Sequence, residues 1–457
     1  MPPGCGWDRR RRVLAWVFMS DAAAPIATGS AADKVSEALP PPSPLYRWLV
    51  MLAVSSTLFG SYYLSDALGL GADQLKVALG ISDTQYGLLS GSNSLGAVLT
   101  IFVGGIIIDR IGSKRSMLLF GCLTALSGLV MALSPSYRVM LAGRFLLGVG
   151  SEPLIVAVST ALVRWFKGRE LAFAFGCNLT LARLGSVAAD RSPEWASRIY
   201  AGQSVITPLG LAALLGLCCV VGALAYFALE QYARPRYSLG KSGNPDKLRL
   251  ADLTSLSYGY WLLVGLSLTF YSAVFPFQSF ATKFFIEAHG MPREQAGALL
   301  SYLPGLSMLL LPLLGLLLDR FGGRALMMWL GSLLVAPVYF LLTQRGLPPH
   351  LPILMLGLGF SLIPAALWPA VSFAVAENRL GTAYALMTFL QQLGFFAVSW
   401  ALGWANDAFA ASATHPSGYE PGMWLLTVLS VMGLFLASLL WRHERARQST
   451  SAASTPA

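Results

Sequence analysis

The chain has 457 residues, of which 55% are apolar and 12% charged, with a mean hydropathy of +0.61 and a formal net charge of +10. Soluble domains carry about 25% charged residues, and apolar enrichment on this scale excludes a disordered, collagen-like or ordinary soluble chain. The basic excess gathers in short connections beside apolar runs, where bilayer orientation requires it, so nucleic acid is not an expected partner.

A helix that crosses about 30 Å of hydrocarbon at 1.5 Å per residue needs about 20 largely apolar residues. Residues 1–45 precede any such stretch. They hold the basic run Arg9 to Arg12 and an apolar stretch too short for a signal-peptide core, so a disordered cytoplasmic tail is expected, with Met19 as an alternative start. Twelve spans follow, at 46–68, 85–108, 115–134, 138–162, 169–189, 205–230, 256–284, 296–318, 325–343, 350–375, 380–403 and 422–441. The polar stretch 231–255 divides them six and six and reads as a cytoplasmic linker. The expected architecture is an all-α membrane protein of twelve transmembrane helices in two six-helix bundles, 46–230 and 256–441, with a cytoplasmic tail at 442–457.

Only Lys76, Arg138, Arg191, Arg198, Lys283, Arg293 and Arg345 fall opposite the termini, and Arg144 and Arg183 fall within spans; the other basic residues lie in the tails and even-to-odd connections. This imbalance places both termini in the cytoplasm. Cys122, Cys177, Cys218 and Cys219 lie in apolar runs without metal-ligand spacing and read as small buried hydrophobes. The sequence contains no phosphate-cradling glycine loop and no nucleophile, base and orienting group at one depth, so neither a cofactor nor an enzyme is expected.

The second half repeats the first at an offset of about 210 residues. Gly105-Ile106-Ile107-Ile108-Asp109-Arg110-Ile111-Gly112-Ser113-Lys114-Arg115 returns as Gly315-Leu316-Leu317-Leu318-Asp319-Arg320-Phe321-Gly322-Gly323-Arg324, and Arg183 falls in register with Gln392. A helix ending at a membrane face must reverse at once. Gly112 supplies the turn, Asp109 and Asp319 caps or ion pairs, and Arg110, Lys114, Arg115 and Arg320 headgroup contacts. The doubled element resembles the major facilitator superfamily, as does Arg144-Phe145-Leu146-Leu147-Gly148-Val149-Gly150 in the fourth span.

Ionisable groups at bilayer depth are costly and face cavities. From the helical rise, Glu152 lies about 15 Å and Arg183 about 21 Å above the cytoplasmic boundary. A substrate with an ammonium at one end and a carboxylate at the other would satisfy both, Arg183 as a planar fork and Glu152 as an acceptor; the alternative is a resting ion pair between them. Arg144 lies farther out and reads as a packing or gating residue. Tyr63, Asn93, Tyr271, Trp368 and Gln392 sit at similar depths as candidate substrate contacts.

Several longer stretches carry a narrower resemblance: Phe59 to Tyr63, Gly143 to Glu152, Trp165-Phe166-Lys167-Gly168, Ala182 to Ser186, Tyr271 to Phe277, Ala366 to Pro369 and Leu380-Gly381-Thr382-Ala383-Tyr384. Together they resemble the lysosomal dipeptide uniporter family, the first-numbered of the major facilitator superfamily domain-containing proteins. The resemblance implies passive movement of dipeptides, with Glu152 and Arg183 at the peptide's amino and carboxyl ends. It also implies a lysosomal membrane and, for a eukaryotic member, an accessory single-pass membrane subunit. Asp66 lacks the following Asn-Pro of the animal members and the N-terminal tail has no acidic dileucine signal, so a bacterial cytoplasmic membrane is the alternative location. The competing function is a proton-coupled symporter or exporter of another small organic anion.

Overall fold

The structure, a computed structural model, describes residues 40–133, 136–166, 170–201, 206–239, 256–344, 346–376 and 379–453. Twelve long helices run through them: α1 (Pro44–Leu70), α2 (Asp83–Ile111), α3 (Ser113–Leu133), α4 (Tyr137–Phe166), α5 (Leu171–Asp190), α6 (Ile206–Gly216 and Cys218–Ala233), α7 (Tyr258–His289), α8 (Arg293–Leu300 and Tyr302–Phe321), α9 (Arg324–Val335 and Val338–Thr343), α10 (His350–Ala374), α11 (Leu380–Ala408) and α12 (Glu420–Ala453). No strand occurs among the described residues; one isolated bridge joins Ser412 and His415. Ten helices are long and apolar enough to cross a membrane, eleven when bent α2 counts as one span. The twelfth, α5, carries Asn178, Arg183 and Asp190 within 20 residues.

Apart from the far end of α12, these helices start and stop within a few residues of the expected spans. The ends follow local chemistry: the Ser43 and Ser257 hydroxyls accept from Tyr46 and Tyr260 N–H, and Ser82 forms a reciprocal capping box with Gln85. Two expectations fall partly outside the described residues, the N-terminal tail at 1–39 and the linker at 240–255. The stretch expected as a C-terminal tail is helical through most of its length, because α12 continues to Ala453. The four cysteines among the described residues are free; Cys219 is buried, Cys177 and Cys218 are partly buried, and Cys122 is exposed on α3, against the expectation of a buried side chain.

The repeat in sequence is a repeat in space. Within the first half α3 packs on α4 and α1 on α5, and the second half copies this with α9 on α10 and α7 on α11. The halves meet where α2 lies along α11 and α5 along α8. Close approach needs missing side chains: a Cβ on Gly87 would strike the backbone of Ser399, one on Gly403 that of Asp83, and one on Gly297 that of Asp190.

At the face opposite the termini, ion pairs tie the halves. Lys283 on α7 reaches both carboxylate oxygens of Asp83 at 2.7 and 2.5 Å, and Lys76 reaches the same acid at 3.1 Å. Arg293 at the start of α8 makes a two-pronged contact with Asp73 at 2.8 and 2.5 Å and donates to the Leu70 carbonyl. Asp83 and Arg293 are repeat-equivalent positions, as are Asp73 and Lys283, so the same crossing contact is made twice with the charges exchanged. From α11, Asp407 accepts from the N–H groups of Asp83 and Thr84 at 2.8 and 2.7 Å, capping α2 across the halves.

Candidate functional site

Between the halves, α4 and α5 each present one charged side chain, and each is met by a residue of the second half. Glu152 sits one turn beyond Gly148, whose missing side chain lets α4 lie against the Asn93 carbonyl on α2. Gln392 Nε2 on α11 donates to Glu152 Oε1 at 2.8 Å. Arg183 on α5 lies between two rings, Tyr62 of α1 with its centroid 5.4 Å from the guanidinium carbon and Phe360 of α10 at 4.9 Å. Arg183 Nε is buried without a hydrogen-bond partner. Among the described residues no ion pair joins Glu152 to Arg183, so the alternative of a resting pair is not what the geometry shows. Tyr62 lies within electrostatic reach of both charges and of Asp66.

The second half supplies the wall. Trp368 Nε1 donates to the Tyr271 hydroxyl at 3.0 Å, Tyr384 donates to the Trp368 carbonyl at 2.8 Å, and Tyr271 stacks on Phe275 at 5.7 Å. Pro276 interrupts α7 and Pro364 and Pro369 interrupt α10, leaving backbone carbonyls near this wall without their usual helical donors. The Asn93 Oδ1 is buried without a partner, and its backbone lies against Gly148, one turn from Glu152.

The structure therefore brings together Glu152, Arg183, Gln392, Tyr271 and Trp368, with Asn93 at the margin. It does not bring Tyr63 there. That side chain is fully buried in a cluster with Leu64, Leu147 and Ala189 inside the first half. Tyr62 takes its place, and the signal was present: Tyr62 and Asp66 are four residues apart and share a helix face, whereas Tyr63 shares its face with Ala67. Phe360, in the apolar run Gly357-Leu358-Gly359-Phe360, carried no polar mark.

Of the other singled-out residues, buried Arg144 donates to the Ser65 carbonyl at 3.0 Å and ties α4 to α1, in keeping with a packing role. Gly112 and Gly322 end α2 and α8 with φ of +81° and +68°, the repeated turn the motif required. Lys114 lies 4.5 Å over the Phe227 ring, and Asp109, Arg110, Arg115 and Arg320 are exposed at the same face. Gly105 meets nothing where a Cβ would go, so it is not a packing requirement. Asp319 lies in the last turn of α8, with its side chain outside the description.

Two pseudo-symmetric helical halves with ionisable groups between them define a multi-pass membrane transporter rather than an enzyme. Residues 45–399 match the Major Facilitator Superfamily, and the chain belongs to that superfamily. It is 33% identical over 403 residues to the human protein named lysosomal dipeptide transporter MFSD1, covering 85% of each chain. It is also 33% identical over 391 residues to the bovine protein of that name, covering 82% of this chain and 83% of the relative. Among solved structures, the nucleoside transporter NupG superposes with a TM-score of 0.69 at 13% identity, over 86% of this chain and 99% of that one. The POT family transporter PepTSo gives 0.67 at 15% identity, over 90% and 99%. At such identities these two show the fold.

Proposed function

We propose that this transporter moves dipeptides by alternating access, as a uniporter, with Glu152 receiving the peptide ammonium and Arg183 its carboxylate. The observation that carries the reading is that the two opposite charges reach the interface of the halves unpaired with each other, each engaged by the opposite half. A zwitterion satisfies both at once, and recognition of its ends leaves the side chains to an aromatic wall that tolerates variety. The names of the human and bovine relatives support the substrate class. The distribution of basic residues supports cytoplasmic termini, which makes the tied face lumenal or extracellular. The names of the same relatives support a lysosomal membrane.

The test is melting of the purified protein with a dipeptide panel, followed by flux in liposomes. Many dipeptides raise the melting temperature, and blocking either end abolishes the effect. Glu152→Gln and Arg183→Ala each lose about tenfold or more in uptake, the scale of one hydrogen bond to a charged group. Equal uptake by both variants and the parent would sink the assignment.

Proton coupling is the second reading, and one observation favours it. Asp190 is buried near the end of α5, within electrostatic reach of Asp66, and among the described residues it forms no ion pair. Acidification of the liposome lumen when a dipeptide enters would select coupling; flux without a proton signal selects uniport.

A further inference from the structure

The carboxamide that meets Glu152 comes from the other half of the molecule, and that changes what it can do. Gln391 is engaged inside its own half, accepting from the Ser267 hydroxyl at 3.1 Å. Gln392 instead crosses the interface to Glu152 Oε1 at 2.8 Å. A carboxylate in a low-dielectric interior is expensive unless donors satisfy it, and a carboxamide N–H presents to that oxygen the same donor geometry as one N–H of an ammonium, without its charge. The repeat places Gln392 in register with Arg183, so the second half offers a neutral donor where the first offers a cation.

We infer that Gln392 is the internal stand-in for the substrate ammonium. It holds Glu152 while the carrier reorients without cargo, and it gives way when an ammonium takes the same oxygen. The inference rests on the reading of Glu152 as the amino-end group. Its consequence is kinetic. Net movement by a uniporter requires the unloaded carrier to return across the membrane, whereas in exchange every crossing is loaded. A group that serves only the unloaded crossing is needed for net flux and dispensable for exchange. A direct substrate ligand is needed for both.

The experiment uses the full chain in liposomes with one labelled dipeptide, measured in two modes: efflux into peptide-free buffer, and exchange against saturating unlabelled dipeptide. Gln392→Met keeps the length of the side chain and removes the donor. Efflux into peptide-free buffer falls about tenfold, as for one lost hydrogen bond to a charged group, while exchange stays within about twofold of the parent. Binding affinity is unchanged or higher, since the internal competitor is gone. Gln392→Asn, which keeps a donor on a shorter arm, gives an intermediate ratio of the two fluxes and decides the matter if the methionine variant does not fold. Equal losses in both modes would make Gln392 a substrate contact or a packing residue and overturn the inference, as would equal preservation of both. A parent protein that moves no dipeptide in either mode would overturn the dipeptide reading itself, and this inference with it.

Discussion

Arg183 owes its geometry to two rings rather than to a counter-ion. Tyr62 and Phe360 hold the guanidinium from opposite halves, so on the proposed reading the fork is oriented before a carboxylate arrives. Arg183→Lys keeps the charge and loses the two-pronged geometry; dipeptide KM rises about tenfold, measured by initial uptake. Tyr62→Ala raises KM several-fold, whereas Tyr63→Phe leaves it unchanged because that ring is packed within the first half. The charged residues of the site were legible in the sequence because an ionised group at bilayer depth stands out against an apolar background. The aromatic residues were not, because in a chain with 24 Phe and 16 Tyr a ring acquires a role only through what tertiary packing sets beside it. Tyr62 is the partial exception, since helical period alone separates its face from that of Tyr63. Gln392 was legible as a polar residue, but its partner across the interface was not.

At the scale of the helices, the sequence told most, and for a plain reason. Spans are set by hydrocarbon thickness and by turn chemistry, both local. The doubled turn after α2 and α8 rests on Gly112 and Gly322, whose backbone conformations pair positive φ with extended ψ values of 158° and −141°. Only glycine adopts these conformations readily, so Gly112→Ala costs about 1–3 kcal/mol of stability, read as a fall in melting temperature in detergent. Gly105→Ala, seven residues earlier inside α2, has open space around it and leaves the melting temperature unchanged or slightly raised, since alanine is the better helix former. What the sequence could not show was which helices of the two halves touch. That depends on Gly87 and Gly403, where α2 and α11 approach backbone to backbone, and a glycine that permits a distant contact looks like any other. Nor did composition reveal that α12 would carry its helix past the apolar stretch to Ala453.

The whole molecule is held at one face by the exchanged ion pairs, and alternating access requires both to break together. Lys283 and Asp83 are only 2% and 1% exposed, and removing one partner of such a buried pair costs about 3–5 kcal/mol in typical cases. Asp83→Asn therefore weakens closure of this face. With Ser90→Cys as reporter in a background without the native cysteines, labelling by an impermeant maleimide applied from that face increases; Ser90 bridges to Ser279 across the halves at 2.8 Å. Lys76, on the short helix Ala72–Leu79, stands outside the spans. Burial works against its charge, but the charge and hydrogen bond of Asp83, joined by Asp407 and the contact with Lys283, together hold its pKa above the ordinary lysine value. The stabilisation this gives is complete below the ordinary value and lost only as pH climbs past the raised one, so an acidic compartment leaves this cation in place. The placement of Glu152 and Arg183 in the same half has a separate consequence, an electrical one. Their charges sum to zero, and so do those of a zwitterionic dipeptide, so the pair and its cargo together carry no net charge through the field. A full uniport cycle returns the protein's own charges to where they began, so on the proposed reading transport of a dipeptide with neutral side chains is electroneutral. A lysyl or aspartyl side chain in the cargo makes the same cycle electrogenic, at about 2.3 kcal/mol per charge for each 100 mV crossed.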